Sequence, residues 1–175
     1  MDAERAFIDQ SRRLLTDSYL PRIVGAVEGL SIENLWWRAN AESNSIGNLI
    51  LHLEGNLRQW IVSGLGGSPD ERERQREFDE RGRMPGPELL THLRTTVEEA
   101  DGIFAIVDPA TLLEPRRIQS YDVTVMRAIY TVVEHFSMHT GQIILLAKMF
   151  KGDLAFYDLS HGEPRPTWRG GVVGH

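Results

Sequence analysis

Apolar residues recur at intervals of three and four along most of the chain, the spacing that places them on one face of an α-helix. The first such segment runs from near the N-terminus to Glu28, and Gly29 can end it. Pro21 is expected to bend or shorten this helix, because proline removes one helical hydrogen bond and its ring crowds the preceding turn. The pattern therefore predicts one long first helix.

Three further amphipathic segments follow, each with its own boundary signals. Ser45 and Thr124 can each accept a hydrogen bond from the first turn of the helix that follows in the sequence, and Pro87 suits a first helical position. The predicted bounds are Ile46 to about Leu65, Pro87 to about Val107, and Val125 to Lys151. Without strand-like alternation, these four helices predict an all-α, single-domain four-helix bundle over residues 1–175.

Two stretches fall outside the helical pattern. The segment Ser68–Gly86 is rich in charge, and its alternating arginines and glutamates predict a solvated surface loop between the second and third helices, with a lid as the alternative. The arginines are Arg72, Arg74 and Arg76, and the glutamates are Glu71, Glu73 and Glu77. Prolines and glycines after Asp153 predict an irregular C-terminal arm lying on the body of the domain.

Composition narrows the classes of function. The chain has 175 residues, a net charge of −6 and no cysteine. Its acidic balance disfavours nucleic acids and anionic membranes as partners. The absence of a secretion signal and of a long apolar run indicates a soluble, cytoplasmic protein. Without cysteine, the available metal donors are histidine, carboxylate and water.

The most informative pattern is a pair of histidines four residues apart in the fourth helix. His135 and His139 project from one helical face, about 5–6 Å apart, and both rings could reach one ion. His52 lies in the middle of the second helix, in a row with Asn48 and Asn56. If these helices are neighbours, the three imidazoles form a divalent metal site with an open coordination position, as in catalytic rather than structural sites.

Two polar residues of the fourth helix are candidate catalytic groups. Gln142 shares the face of His135 and could hydrogen-bond a water or substrate at the ion. Glu134 is rotated by about 100° from His135 and could act as a base if the site opens in that direction.

Two other kinds of histidine-containing metal site do not fit the sequence. A zincin protease needs glutamate directly after the first histidine, but position 136 is Phe. Di-iron bundles need paired Glu-x-x-His motifs, which the chain lacks. The remaining alternative is three hydrogen-bonded core histidines without a metal.

Two segments resemble the metal-binding stretches of the DinB/YfiT-like superfamily. They are Ser45–Asn56 and His135–Gln142, and the family pattern of one histidine followed by His-x-x-x-His matches His52, His135 and His139. The charged segment around Phe78 and the arm from Phe156 to Trp168 are similar to the DinB-like branch of uncharacterised bacterial proteins. The resemblance implies a four-helix bundle, a nickel or zinc ion and a homodimer. It also implies kinship with bacillithiol-dependent S-transferases, a mycothiol-dependent isomerase and hydrolase-like members.

Together these features predict a metal-dependent transferase or hydrolase. The ion would activate a low-molecular-weight thiol or water for attack on a small electrophilic substrate. Asn48 and Asn56 are candidate substrate contacts, and Trp36, Tyr157 and Trp168 are candidate pocket walls. The alternative is a non-catalytic bundle that binds metal structurally or incidentally and acts as a dimeric stress or interaction module.

Overall fold

The computed structural model describes residues 2–82, 84–160 and 162–169, and most of them are helical. The predicted mostly helical architecture is confirmed. The α-helices are α1 (Ala3–Arg13), α2 (Leu20–Val27), α3 (Ile32–Leu35), α4 (Ile46–Leu57), α5 (Arg74–Asp79), α6 (Gly86–Ile106) and α7 (Val125–Lys148). Two π-helical segments, Leu14–Tyr19 and Arg58–Ser63, directly follow α1 and α4.

Pro21 is accommodated inside the first long helical segment without breaking it. The chain winds continuously from α1 through the π-helical turns into α2, with Pro21 in the first turn of α2. Proline has no N–H to donate to the carbonyl four residues earlier, that of Asp17. The indole Nε1 of Trp168 donates to this carbonyl at 3.0 Å, so the C-terminal arm supplies a hydrogen bond that Pro21 cannot make.

The hydrophobic core places α4 at the centre of the molecule. Helix α4 packs against both α6 and α7, and α2 also packs against α7. The core is apolar and fully buried at positions such as Leu53, Phe104 and Phe136. Arg12 of α1 donates two hydrogen bonds, of 2.8 and 3.0 Å, to the Asp101 carboxylate of α6 and so joins the two helices. This packing brings α4 and α7, the two histidine-bearing helices, side by side.

The prediction of a chain without strands was wrong in two places. Strands β1 (Pro115–Ile118) and β2 (Tyr121–Thr124) form an antiparallel hairpin. Its two-residue turn contains Gln119 with φ of 55° instead of the glycine or asparagine that marks such turns in a sequence. In the arm, β3 (Tyr157–Asp158) pairs with β4 (Arg165–Pro166). Strands of two to four residues are too short to show periodicity.

The charged segment also departs from its prediction. It contains the short helix α5, and the side chains of Arg72 and Glu77 are only 6% and 11% exposed. The solvated-loop prediction is therefore wrong for these two residues, because they pack against α4. The arm is anchored through Trp168, and the part of that prediction that falls on residues 161 and 170–175 lies outside the described residues. Within the described residues, no helix is long and apolar enough to cross a membrane.

Candidate metal centre

Three histidine rings from α4 and α7 meet at one point. The Nε2 atom of His135 lies 3.0 Å from Nε2 of His52 and 2.8 Å from Nε2 of His139. One nitrogen from each ring falls within 4.8 Å of the other two, so the group could hold a metal ion. His52 and His139 are 6% and 9% exposed, which places the cluster at the edge of the core.

Local sequence signals fix where each histidine points. Ser45 caps α4 in a reciprocal capping box with Asn48, and Thr124 caps α7 by accepting from the backbone N–H of Arg127. Both helices therefore begin at defined residues, which sets the rotation of every later side chain about the helix axis. The packing of α4 against α7 then brings His52 to the pair on α7.

Hydrogen bonds on the far side of two rings decide their tautomers. Nδ1 of His52 lies 2.8 Å from the Glu77 Oε2 atom, and Nδ1 of His139 lies 2.6 Å from Oε1 of Gln142. Carboxylate and amide oxygens only accept, so each Nδ1 carries the hydrogen and each Nε2 presents a lone pair. The Arg72 guanidinium also lies 3.2 Å from Nδ1 of His52, but it is a donor and its closer partner is Glu77.

This assignment leaves the cluster short of hydrogens. The Nε2 atoms of His52 and His139 both direct lone pairs at Nε2 of His135, and a neutral ring can supply at most one hydrogen there. At least one nitrogen would lack a donor when all three rings are neutral. A divalent cation accepts lone pairs from all three at once, so the donor set fits a metal better than it fits a closed hydrogen-bond network.

The electrostatics of the cluster favour neutral rings at the two histidines of α7. Burial, together with the neighbouring charges of His139 and His52, lowers the pKa of His135 to about 3. Burial also lowers the pKa of His139, and the hydrogen bond with Gln142 offsets only part of that effect. Burial raises the pKa of Glu77, but hydrogen bonds from His52 and Arg72 outweigh it and the net pKa is lowered. The site therefore combines two unprotonated imidazoles on α7 with an ionised carboxylate behind His52.

The sequence prediction missed Glu77 and Arg72. Arg72 donates to both carboxylate oxygens of Glu77, at 2.6 and 2.9 Å, and its third nitrogen donates to Gln59 at 2.9 Å. The alternation of charges along the segment gave no sign of this, since neighbouring arginines and glutamates of the same run are exposed. The readable signal was Gly55, a glycine in the middle of an otherwise regular helix, where the Arg72–Glu77 pair lies against α4.

The two asparagines predicted to contact substrate occupy different environments. Asn48 is fully buried, and its amide donates to the backbone carbonyls of Glu77 and Glu80 at 2.8 and 3.1 Å. Asn56, one turn after His52, is 6% exposed, and its buried Oδ1 has no hydrogen-bond partner among the described residues. Asn56 thus retains an unused acceptor next to the histidine row, while Asn48 is occupied in holding the charged segment.

The predicted catalytic groups on α7 both lie at the surface. Glu134 and Gln142 are exposed, and Gln142 is hydrogen-bonded to His139 as described above.

The predicted aromatic walls lie in two different parts of the described structure. Trp36 donates from Nε1 to the carbonyl of Met84 at 2.9 Å. Tyr157 and Trp168 meet edge to face, with ring centroids 5.2 Å apart. Trp168 lines a cavity of about 510 Å³ between α2 and the arm, whose described lining includes none of the three histidines.

Comparison with known families assigns the chain to one of them. The sequence profile of "Protein of unknown function (DUF1572)" matches residues 2–161, nearly the whole chain. The chain belongs to the DUF1572 family. This family is associated with the DinB/YfiT-like superfamily, so the resemblance inferred from the histidine segments is confirmed at that level. No curated protein matches the chain.

Proposed function

We propose that this DUF1572 protein is a metal-dependent transferase or hydrolase in which His52, His135 and His139 bind one divalent cation, nickel or zinc. The observation that carries the proposal is the convergence of three Nε2 atoms. When the rings are neutral, these atoms carry too few hydrogens for all of them to be hydrogen-bonded to one another. Such an ion, when bound, supplies the positive charge that makes a thiol or a water a nucleophile at neutral pH. Kinship with the thiol S-transferases of the superfamily is part of this proposal.

The side chains around the cluster have defined tasks in this proposal. Glu77 and Gln142 hold Nδ1–H of His52 and His139, which keeps both Nε2 lone pairs directed inwards. Asn56 offers its free Oδ1 as an acceptor for an N–H or O–H of the small electrophile. Exposed Glu134 is placed to exchange protons with solvent if the substrate enters along α7.

The finer architecture is proposed with the function. We propose a single-domain four-helix bundle, a cytoplasmic location and a homodimer. The packing of α4 against α6 and α7 supports the bundle. Exposed apolar side chains on α7 and at its C-terminal end support the pairing of two copies. These side chains are Tyr130, Met138, Leu145 and Met149.

Metal content tests the proposal directly. Untagged protein would be incubated with zinc or nickel, desalted and analysed for metals, beside single alanine variants of the three histidines. His92→Ala is the matched control, because His92 is an exposed histidine of α6. About one ion per chain is expected in the wild type and the control, and almost none in His135→Ala or His139→Ala with unchanged helicity. A wild type without metal would favour three core histidines and a non-catalytic role.

A thiol assay tests the chemistry separately. The metal-loaded wild type would be mixed with a low-molecular-weight thiol and a small electrophile, and loss of the thiol followed with time. Turnover that disappears in His139→Ala and survives in His92→Ala would support a transferase. Hydrolysis of the electrophile without thiol consumption would instead support activation of water.

A further inference from the structure

Gly55 of α4 lies under the Arg72–Glu77 ion pair, three residues after His52. We propose that Gly55, Arg72 and Glu77 together position His52, and we call this group the Glu77 clamp. Glu77 orients the imidazole, Arg72 orients Glu77, and the bare backbone at Gly55 gives the pair its place on the helix. The effect on metal binding rests on the proposed function, whereas the effect on the His52 ring does not.

The Arg72–Glu77 pair approaches the backbone of α4 closely at Gly55. A Cβ atom added there would overlap Oε1 of Glu77 and lie 3.0 Å from Nε of Arg72. Alanine is the better helix former, so a glycine in the interior of α4 is unfavourable for the isolated helix. The missing side chain is required by the ion pair that occupies its space.

Hydrogen bonds hold the carboxylate of Glu77 in one orientation. Oε1 of Glu77 accepts from Nε of Arg72 at 2.6 Å, and Oε2 accepts from Nη2 of Arg72 at 2.9 Å and from Nδ1 of His52 at 2.8 Å. Two parallel charge-assisted bonds from one guanidinium fix the plane of a carboxylate. The direction of the third bond, to His52, is therefore fixed as well.

Further hydrogen bonds and ring packing hold the segment around Glu77 in place. The buried amide of Asn48 donates to the backbone carbonyls of Glu77 and Glu80, and Arg38 donates to the carbonyl of Phe78 at 2.9 Å. The Phe78 ring lies 4.8 Å from the His52 ring, centroid to centroid. Backbone bonds and ring packing thus hold Glu77 in register with His52 independently of the ion pair.

The consequence is control of one metal ligand from a distant segment. With the clamp in place, His52 has its hydrogen on Nδ1 and its lone pair on Nε2, directed at the other histidines. Without it, the ring can turn or exchange tautomers. Loss of a carboxylate that orients a ligating histidine lowers metal affinity by about 10–100-fold.

Gly55→Ala tests the clamp without touching a metal ligand. The added methyl group should displace Glu77 while leaving α4 helical. Gly102→Ala in α6 is the matched control, because, apart from its chain neighbours and the nearby backbone of α6, no atom of the described residues lies within 4 Å of a Cβ there. Zinc affinity, measured by competition with a chromophoric chelator, is expected to fall by about 10–100-fold in Gly55→Ala and to stay unchanged in Gly102→Ala.

A second measurement isolates positioning from metal binding. Nitrogen-15 NMR of the metal-free, full-length protein reports which imidazole nitrogen of His52 carries hydrogen. The wild type is expected to show Nδ1–H, and Glu77→Ala to lose this preference. Glu73→Ala is the control, because Glu73 belongs to the same segment but is exposed.

The outcomes separate the two proposals. Unchanged zinc affinity in Gly55→Ala, or a His52 ring that keeps Nδ1–H in Glu77→Ala, would overturn the clamp. A wild type that binds neither zinc nor nickel would overturn the proposed function, and the tautomer measurement would still decide on the clamp.

Discussion

Two arginine–glutamate pairs in one short segment differ in almost every physical respect. Arg72 and Glu77 are 6% and 11% exposed and lie behind His52. Arg76 and Glu73, only a few residues away, are 80% and 59% exposed, although their charged atoms approach to 2.5 Å. The two pairs therefore have the same residue types and nearly the same distance between their charged atoms, whereas one pair is buried and the other is exposed.

The difference lies in what each pair packs against. The buried pair fits on α4 at Gly55 and is shielded from water, so its charges interact strongly and neither can lose its partner without cost. The exposed pair gains little from a contact that water and salt screen. A short ion-pair distance alone thus says little about importance.

Removing one arginine from each pair should give the largest contrast. Arg72→Ala leaves the Glu77 carboxylate buried without its main cation and should lower the free energy of unfolding by about 3 kcal/mol. Arg76→Ala should change it by less than about 0.5 kcal/mol. Denaturant unfolding of both variants in metal-free buffer measures the effect. Equal losses in the two variants would show that burial does not distinguish the pairs.

Acidification extends the contrast to the histidines. The pKa of His135 is about 3 in the folded protein and has an ordinary value of 6.5. Between these values the unfolded chain binds a proton that the folded chain does not, so stability falls as the pH decreases from 6.5 towards 3. Allowing for partial solvent exposure of the ring, we expect a loss of about 2 kcal/mol in the metal-free wild type.

Two histidine variants test whether His135 causes this pH effect. Metal-free His135→Leu should show a flatter dependence of stability on pH than the wild type, because the group that resists protonation is gone. His92→Ala, which alters an exposed histidine, should keep the wild-type slope. Parallel curves for wild type and His135→Leu would remove His135 as the source of the acid sensitivity.

The smallest expected effect is the coupling within the exposed pair. A double-mutant cycle on Glu73 and Arg76 should give an interaction energy of about 0.3 kcal/mol, typical of surface pairs three residues apart on a helix. The same cycle on Arg72 and Glu77 should exceed about 1 kcal/mol. A larger coupling for the exposed pair would contradict the comparison.

Much of the helical framework was readable from local patterns. Apolar spacing located the long helices, and Ser45 and Thr124 were identified as caps that the structure confirms. Helix boundaries are local, because the capping residue and the helix it begins are neighbours in sequence. The β1–β2 hairpin was missed since its turn has Gln119 where glycine or asparagine would have signalled it.

The three-histidine cluster was predicted in part for the same reason. The spacing of His135 and His139 is a property of one helix, and their proximity follows from its geometry. His52 can meet them only if α4 and α7 are neighbours. The structure confirms this, because Nε2 of His52 lies 3.0 Å from Nε2 of His135. Glu77 lies 25 positions after His52, and no periodicity connects the two residues.

Sequence by itself determined which residues form the helices and which side chains share a helical face, because those properties depend on interactions within a few positions of the chain. Tertiary structure alone decided which of several similar arginines and glutamates are buried. That selection depends on the space left at Gly55 and on backbone carbonyls held by Asn48, and both exist only once α4 and the charged segment have packed together.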